Sequence, residues 1–160
     1  MLVATSAAYV VALAWAALAL PDRVPTHLDA TGRVDAWSTR PAAIGFWAVI
    51  GLVVLVGVPA LGRLATAGDG TWVNMPRASK DYWFAPERVG EFRVRFQDDL
   101  EGFAGLTGVL LVGGLAMTTW LGTTGRDGAP QWVLVGVIGA YLAVTAVWTV
   151  RLLRKYRPPA

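Results

Sequence analysis

The only histidine of the chain lies beside two aspartates in a short polar segment, Leu20 to Pro41. Two carboxylates and one imidazole, here Asp29, Asp35 and His27, can bind a divalent metal, recognise a cationic ligand or perform acid and base catalysis. A structural zinc site normally uses four ligands, mostly Cys and His, and no Glu occupies the twelfth place counted from His27 that an EF-hand requires. We therefore expect neither a metal nor another cofactor. Ligand recognition and a purely structural hydrogen-bonding cluster both remain open.

Turn-forming residues interrupt this polar segment. The stretch Asp29-Ala30-Thr31-Gly32 fits a type I turn, which favours Asp at its first position and Gly at its fourth. Short extended arms around Leu28 and Val34 can then pair into a small hairpin that presents the polar side chains. The residues that we expect to bind a ligand are His27, Asp29, Gly32 and Asp35.

The elements that must position this segment are membrane helices. The chain is 55% hydrophobic and only 16% charged, against about 25% charged in an ordinary soluble domain. Four runs without Asp, Glu, Lys, Arg or His are each long enough, at about 20 residues, to cross a bilayer as helices. They cover residues 1–20, 41–62, 102–122 and 131–150. We therefore expect an all-α fold, an integral membrane four-helix bundle that forms a single domain over residues 1–160.

The first run could instead be a cleaved signal peptide. Its start, MLVATSAAYV, contains no Lys or Arg. Its apolar stretch is also longer than the usual signal core of about 7 to 15 residues. Both features favour a retained span.

The distribution of basic residues predicts the orientation. Ten Lys and Arg fall in the second loop and the tail, whereas four fall in the first and third loops. Because basic residues concentrate on the cytoplasmic side, we expect both termini and the second loop, residues 63–101, to be cytoplasmic. The polar first loop, residues 21–40, would then face outward. The ten residues are Arg63, Arg77, Lys80, Arg88, Arg93, Arg95, Arg151, Arg154, Lys155 and Arg157.

An amphipathic helix is predicted in the cytoplasmic loop from Pro86 onward. Apolar residues from Val89 to Phe103, including Phe92 and Phe96, recur at steps of three and four. Such a stripe can insert into the inner leaflet, and the aromatic residues before it suit the same boundary; a partner-binding surface is the alternative. The residues expected to meet the membrane surface or a cytoplasmic partner are Asn74, Pro76, Lys80, Asp81, Tyr82, Trp83, Pro86, Glu87 and Arg88.

Two stretches resemble a known family. The pattern Leu-Pro-Asp-x-Val-Pro-x-His-x-Asp-x-x-Gly-x-x-Asp-x-Trp, Leu20 to Trp37, follows the first span. It resembles the bacterial membrane domain of unknown function 1648 (DUF1648), as found in SdpI-type immunity proteins. The cytoplasmic stretches Asn74 to Pro76 and Lys80 to Arg88 are similar to those of some members. The resemblance implies a multi-pass protein of the bacterial cytoplasmic (plasma) membrane with no established enzymatic activity.

This resemblance also implies a role. Its best-understood members protect the producing cell from a secreted peptide toxin and can hold a transcriptional repressor at the membrane, which combines immunity with signalling. We therefore expect a non-enzymatic protein whose first loop recognises an extracellular peptide or small ligand. The segment from Asn74 to Arg95 would report to a cytoplasmic regulator or another partner.

Two other functions stay open. The glycine-rich spans could pack against a larger membrane complex, which would make the chain an auxiliary subunit. Alternatively, His27 and Asp35 could serve a membrane enzyme. An ion-coupled transporter is disfavoured because no ionisable residue lies within the predicted spans. Nucleic-acid binding is not expected either, because the basic residues lie beside membrane spans.

Overall fold

The computed structural model describes residues 1–158, which are mainly helical. The elements are, in chain order, the helix α1 (Leu2–Ala19), the strands β1 (Arg23–Leu28) and β2 (Val34–Thr39), the helix α2 (Arg40–Leu52), a π-helical turn (Val53–Gly57), and the helices α3 (Val58–Thr66), α4 (Arg77–Trp83), α5 (Val89–Thr124) and α6 (Gln131–Lys155).

Within residues 1–158, four helical segments are long and apolar enough to cross a membrane, as predicted. The second segment is the continuous series α2, π turn and α3, whereas the others are α1, α5 and α6. Each contains nearly all of one predicted run. This arrangement fits a multi-pass membrane protein.

The π turn ends two residues before Pro59. The amide of Val58 donates to the carbonyl of Val53, five residues earlier, instead of to the carbonyl four residues earlier. Proline has no N–H to offer the preceding turn, and its ring crowds the carbonyl four residues before it. A widened turn is one way for a helix to accommodate such a position.

The helices pack around α5. Buried side chains of α1, α2 and α5 form the main apolar core, which includes Tyr9, Ala43 and Leu115. Gly108 allows α1 to approach, because a Cβ at this position would lie 2.6 Å from Cγ2 of Thr5. In contrast, none of the residues of α6, all of which the structure describes, is buried. Thus α6 lies at the edge of the bundle.

The loops gather at two opposite ends. The hairpin β1–β2 contacts the third loop, Gly125 to Pro130, at one end, which we call the hairpin end. The second loop contacts the carboxyl end of α6 at the other, which we call the second-loop end. Because consecutive spans run in opposite directions, their connecting loops alternate between the two ends, whichever end faces the cytoplasm.

The predicted amphipathic helix is part of a longer one. It begins at Val89 rather than at Pro86, and it continues without a break through the third span to Thr124. The expectation of a separate surface helix was therefore wrong. Helix propagation explains the difference, because no Pro and no left-handed Gly interrupts the chain between the amphipathic stretch and the apolar run.

Candidate ligand-recognition site

The first loop is a two-stranded antiparallel hairpin. The register pairs Val24 with Ser38 and Leu28 with Val34, and it shifts on either side of His27. The amide of Gly32 donates to the carbonyl of Asp29 at 2.9 Å. The predicted turn and hairpin are therefore confirmed. Val24 is fully buried and fixes β1 on the helices, so the opposite side of the hairpin is left for exposed side chains.

Asp29 serves the turn. Its Oδ1 accepts hydrogen bonds from the amide and hydroxyl of Thr31, at 2.8 and 2.7 Å, and from the amide of Arg33 at 3.0 Å. The Thr31 hydroxyl, followed by the Arg33 amide, lowers the pKa of the Asp29 carboxyl below its ordinary value. These three hydrogen bonds engage Oδ1 and tie the carboxylate to its own turn.

Gly32 joins the hairpin to the third loop. Its φ is +86°, and a Cβ at this position would overlap the carbonyl oxygen of Ala129. The amide of Ala129 donates to the carbonyl of Gly32 at 2.9 Å, and the amide of Val34 donates to the carbonyl of Asp127 at 2.7 Å. Gly32 thus has a backbone role. The turn residues in the sequence do not predict that the third loop pairs with Gly32.

His27 and Asp35 lie side by side on the exposed face. Nδ1 of His27 is 2.6 Å from Oδ1 of Asp35, and the two side chains are 65% and 46% exposed. This contact orients the imidazole through Nδ1, so Nε2 is the ring nitrogen that can meet a ligand. Of the four predicted ligand-binding residues, the structure brings these two together as side chains. Asp29 and Gly32 are engaged in the turn.

Two further residues of this face were missed from the sequence. The guanidinium of Arg23 lies 4.7 Å from the centre of the Trp37 ring, and Trp37 is 40% exposed. The period of two along a predicted strand, which puts Trp37 on the same side as Asp35, could have revealed Trp37. We call the set Arg23, His27, Asp35 and Trp37 the hairpin face.

A groove adjoins the hairpin face. It has a volume of about 220 Å³ and is lined by residues 25–28 of β1, by Trp47 of α2 and by residues of α5 around Met117. His27 borders this groove as well as the exposed face. Among residues 1–158, no group of three or more His, Cys, Asp and Glu side chains is placed to hold a metal ion. The geometry therefore offers an apolar recess beside a polar pair.

At the second-loop end, Phe92 of the predicted membrane stripe is buried against protein. Phe92 has no exposed surface and packs with Val73 and Trp83, while Phe84 and Phe96 cover them. The expectation that Phe92 and Phe96 insert into a leaflet was therefore wrong for Phe92. Folding the loop back onto α5 buries these rings against one another, which removes the need for lipid.

This aromatic cluster, residues Val73, Trp83, Phe84, Phe92, Phe96 and Tyr156, also holds the end of α6. The indole of Trp83 donates to the carbonyl of Tyr156 at 3.0 Å. The Tyr156 hydroxyl donates to Oδ2 of Asp99 at 2.6 Å, and Lys155 contacts the same oxygen at 2.6 Å. The second loop therefore links α5 to α6.

The predicted partner residues divide into two groups. Trp83 is buried in the aromatic cluster, and Lys80, Tyr82 and Arg88 are half-buried. Those left on the surface are Asn74, Pro76, Asp81, Pro86 and Glu87. Only the residues of this second group have side chains exposed enough to contact a partner extensively.

A comparison with known protein families finds a match in the first half of the chain. Residues 4–52 match the family described as a domain of unknown function, DUF1648. This match covers most of α1, the hairpin and α2, which build the hairpin face and, together with α5, its groove. No curated protein matches the chain, and neither does any solved structure. The chain therefore contains a DUF1648 domain, whose function is unknown, over residues 4–52.

Proposed function

We propose that this chain is a non-enzymatic receptor of the bacterial plasma membrane, which recognises an extracellular peptide or small ligand through its hairpin face. The resemblance to SdpI-type proteins suggests that recognition serves immunity or signalling. The positive-inside rule supports an orientation with the hairpin outside the cell and the aromatic cluster inside.

The observation that carries this proposal is the exposed contact between His27 and Asp35. Their atoms lie 2.6 Å apart, although both side chains are largely in solvent. Exposed ion pairs contribute only about 0 to 1 kcal/mol to folding. The fold therefore gains little from this pair, whereas a ligand would find an oriented imidazole and a carboxylate.

The neighbouring residues supply the rest of a recognition surface. Trp37 offers an apolar ring, and Arg23 holds a cation above it. Aromatic and Arg side chains are enriched at the centres of binding surfaces, because they combine a large contact area with hydrogen bonding. Such a face suits a ligand that carries both polar and apolar groups, as peptides do.

Helix α5 connects the two ends of the protein. Val24 of β1 belongs to the apolar core that Leu111 and Leu115 of α5 build, and Phe92 lies on the same helix in the aromatic cluster. With 36 residues, α5 is about 54 Å long at 1.5 Å per residue. We infer that a tilt of α5 upon ligand binding changes the surface that Asn74, Pro76 and Glu87 offer to a cytoplasmic partner.

A complementation experiment tests recognition. A strain that lacks the gene receives wild type, His27→Ala, Asp35→Asn or the control Asp127→Asn, which changes an exposed carboxylate at the same end. We expect the two hairpin-face variants to lose growth competition against the parent strain, although they are expressed and melt in detergent like wild type. Asp127→Asn should compete normally. Full competition by both hairpin-face variants would refute the proposal.

A second candidate function is that of an auxiliary subunit. It is favoured by α6, none of whose described residues is buried. This helix exposes Gly136, Gly139 and Ala140, small residues that allow close helix approach in membranes. Purification in a mild detergent separates the two functions. A larger membrane protein recovered in equal amount, and lost with Gly136→Leu, would favour the subunit.

A further inference from the structure

An apolar crevice separates α5 from α6 at the hairpin end. Its volume is about 500 Å³, and its walls are apolar side chains and glycines of both helices, together with Trp120 and Pro130 near the third loop. We propose that this crevice binds one acyl chain of a membrane phospholipid, whose phosphate contacts Arg126.

The two helices contact each other in their other half. There, the hydroxyls of Thr107 and Tyr141 lie 2.9 Å apart, and a Cβ at Gly102 would be 2.7 Å from the Trp148 ring. Toward the hairpin end, in contrast, an added Cβ at Gly113 would meet no atom of the described residues within 4 Å. Small residues of α5 thus face a gap that α6 does not fill.

The dimensions of the crevice match one leaflet. Its α5 wall extends from Leu110 to Trp120, a rise of about 15 Å at 1.5 Å per residue. This is half of a hydrocarbon core of about 30 Å. An acyl chain that enters beside Trp120 would end near Leu110 at the middle of the bilayer. A second helix, with a diameter of about 10 Å, would need α6 to move aside.

A cation stands at the mouth of the crevice. The guanidinium of Arg126 lies 4.8 Å from the centre of the Trp120 ring, which itself lines the crevice. Arg pairs well with phosphate, and Trp favours the headgroup level of a bilayer. The exposed carboxylate of Asp127 lies next in the chain and weakens the attraction. The mouth therefore combines a cation for the phosphate of a phospholipid with an aromatic ring for the first methylenes of its acyl chain.

Native mass spectrometry tests the proposal on the purified, delipidated protein titrated with palmitoyl-oleoyl-phosphatidylglycerol. We expect one retained lipid per chain. Gly113→Leu should weaken this binding by about tenfold, since its side chain would occupy the crevice without meeting protein. The control Gly139→Leu makes the same substitution on α6, outside the crevice, where an added Cβ likewise meets nothing among the described residues. It should bind lipid like wild type.

Two results would overturn the proposal. The first is equal lipid binding by wild type, Gly113→Leu and Gly139→Leu, which would mean that lipid binds elsewhere. The second is a dimer that only Gly113→Leu disrupts, which would mean that another copy occupies the crevice. The headgroup contact is tested by Arg126→Gln, which should bind phosphatidylglycerol more weakly. Wild-type binding of this lipid by Arg126→Gln would refute the phosphate contact.

Discussion

The backbone amide of Ala129 donates a hydrogen bond to the carbonyl of Gly32 at 2.9 Å. This contact connects the first loop to the third, and an isolated bridge between Arg33 and Gly128 continues it. A two-stranded hairpin alone is marginally stable. The third loop therefore supports the turn whose strands carry His27 and Asp35.

Gly32→Ala should lower the free energy of unfolding by about 2 to 4 kcal/mol, since it adds the strain of a left-handed backbone to an overlap with Ala129. Gly125→Ala is the matched control. Gly125 also has a positive φ, +62°, but an added Cβ there meets no described atom within 4 Å. The control should cost only about 1 kcal/mol. Unfolding by steric trapping in bicelles measures both, and equal losses would contradict the contact between the loops.

His27→Ala and Asp35→Asn should each change the free energy of unfolding by less than about 1 kcal/mol, because the pair is exposed. Asp29→Ala should be more destabilising than either, since it removes the acceptor of three hydrogen bonds in the turn. Thermal unfolding in detergent ranks the three variants. If His27→Ala proved the most destabilising, the pair would have a structural role instead of a recognition role.

Phe92→Ala should lower the free energy of unfolding by about 3 to 5 kcal/mol, as expected for an aromatic ring removed from a packed core. It should also expose the second loop to trypsin in inside-out vesicles. Val94→Ala, at a position 63% exposed on the same helix, should stay within about 0.5 kcal/mol of wild type. Digestion of Phe92→Ala at the wild-type rate would indicate that lipid, not protein, covers this ring.

Stability should decline at alkaline pH because of Tyr156. Burial, followed by the hydrogen bond to the Asp99 carboxylate, raises the pKa of the Tyr156 hydroxyl well above its ordinary value of 10.0. Above pH 10, the Tyr156 hydroxyl loses its proton in the unfolded chain but keeps it in the folded protein. Stability that is present below pH 10 is therefore lost as the pH rises. Tyr156→Phe should reduce this decline, whereas Tyr82→Phe should retain it. Melting temperatures between pH 8 and pH 11 provide the measurement, and equal declines in both variants would exclude Tyr156 as the cause.

Single cysteines should reveal the orientation, since the natural chain contains no cysteine. Ala30→Cys in the hairpin turn and Ala78→Cys in α4 both place the thiol at an exposed position. An impermeant maleimide should label the first variant in whole cells and the second only after lysis. The reverse pattern would place the hairpin face in the cytoplasm and remove an extracellular ligand from consideration.

The sequence alone determined the helical segments and the turn. In a bilayer, the backbone N–H and C=O groups of an apolar run such as residues 41–62 must hydrogen-bond within the run, and a helix achieves this. The turn from Asp29 to Gly32 follows equally from local chemistry, because a short Asp side chain and a Gly with positive φ favour it wherever it occurs. These features depend on residues that are neighbours in the chain.

Only the tertiary structure decided what the polar and aromatic residues contact. Phe92 has the same helical spacing whether it meets lipid or Trp83, because periodicity gives the direction of a side chain and not the identity of its partner. Asp29 and Asp35 are the same residue type in one loop, yet the turn engages the first, while the register of two strands brings the second to His27. Contacts between residues distant in the chain depend on how the elements assemble, and local sequence patterns do not carry that information.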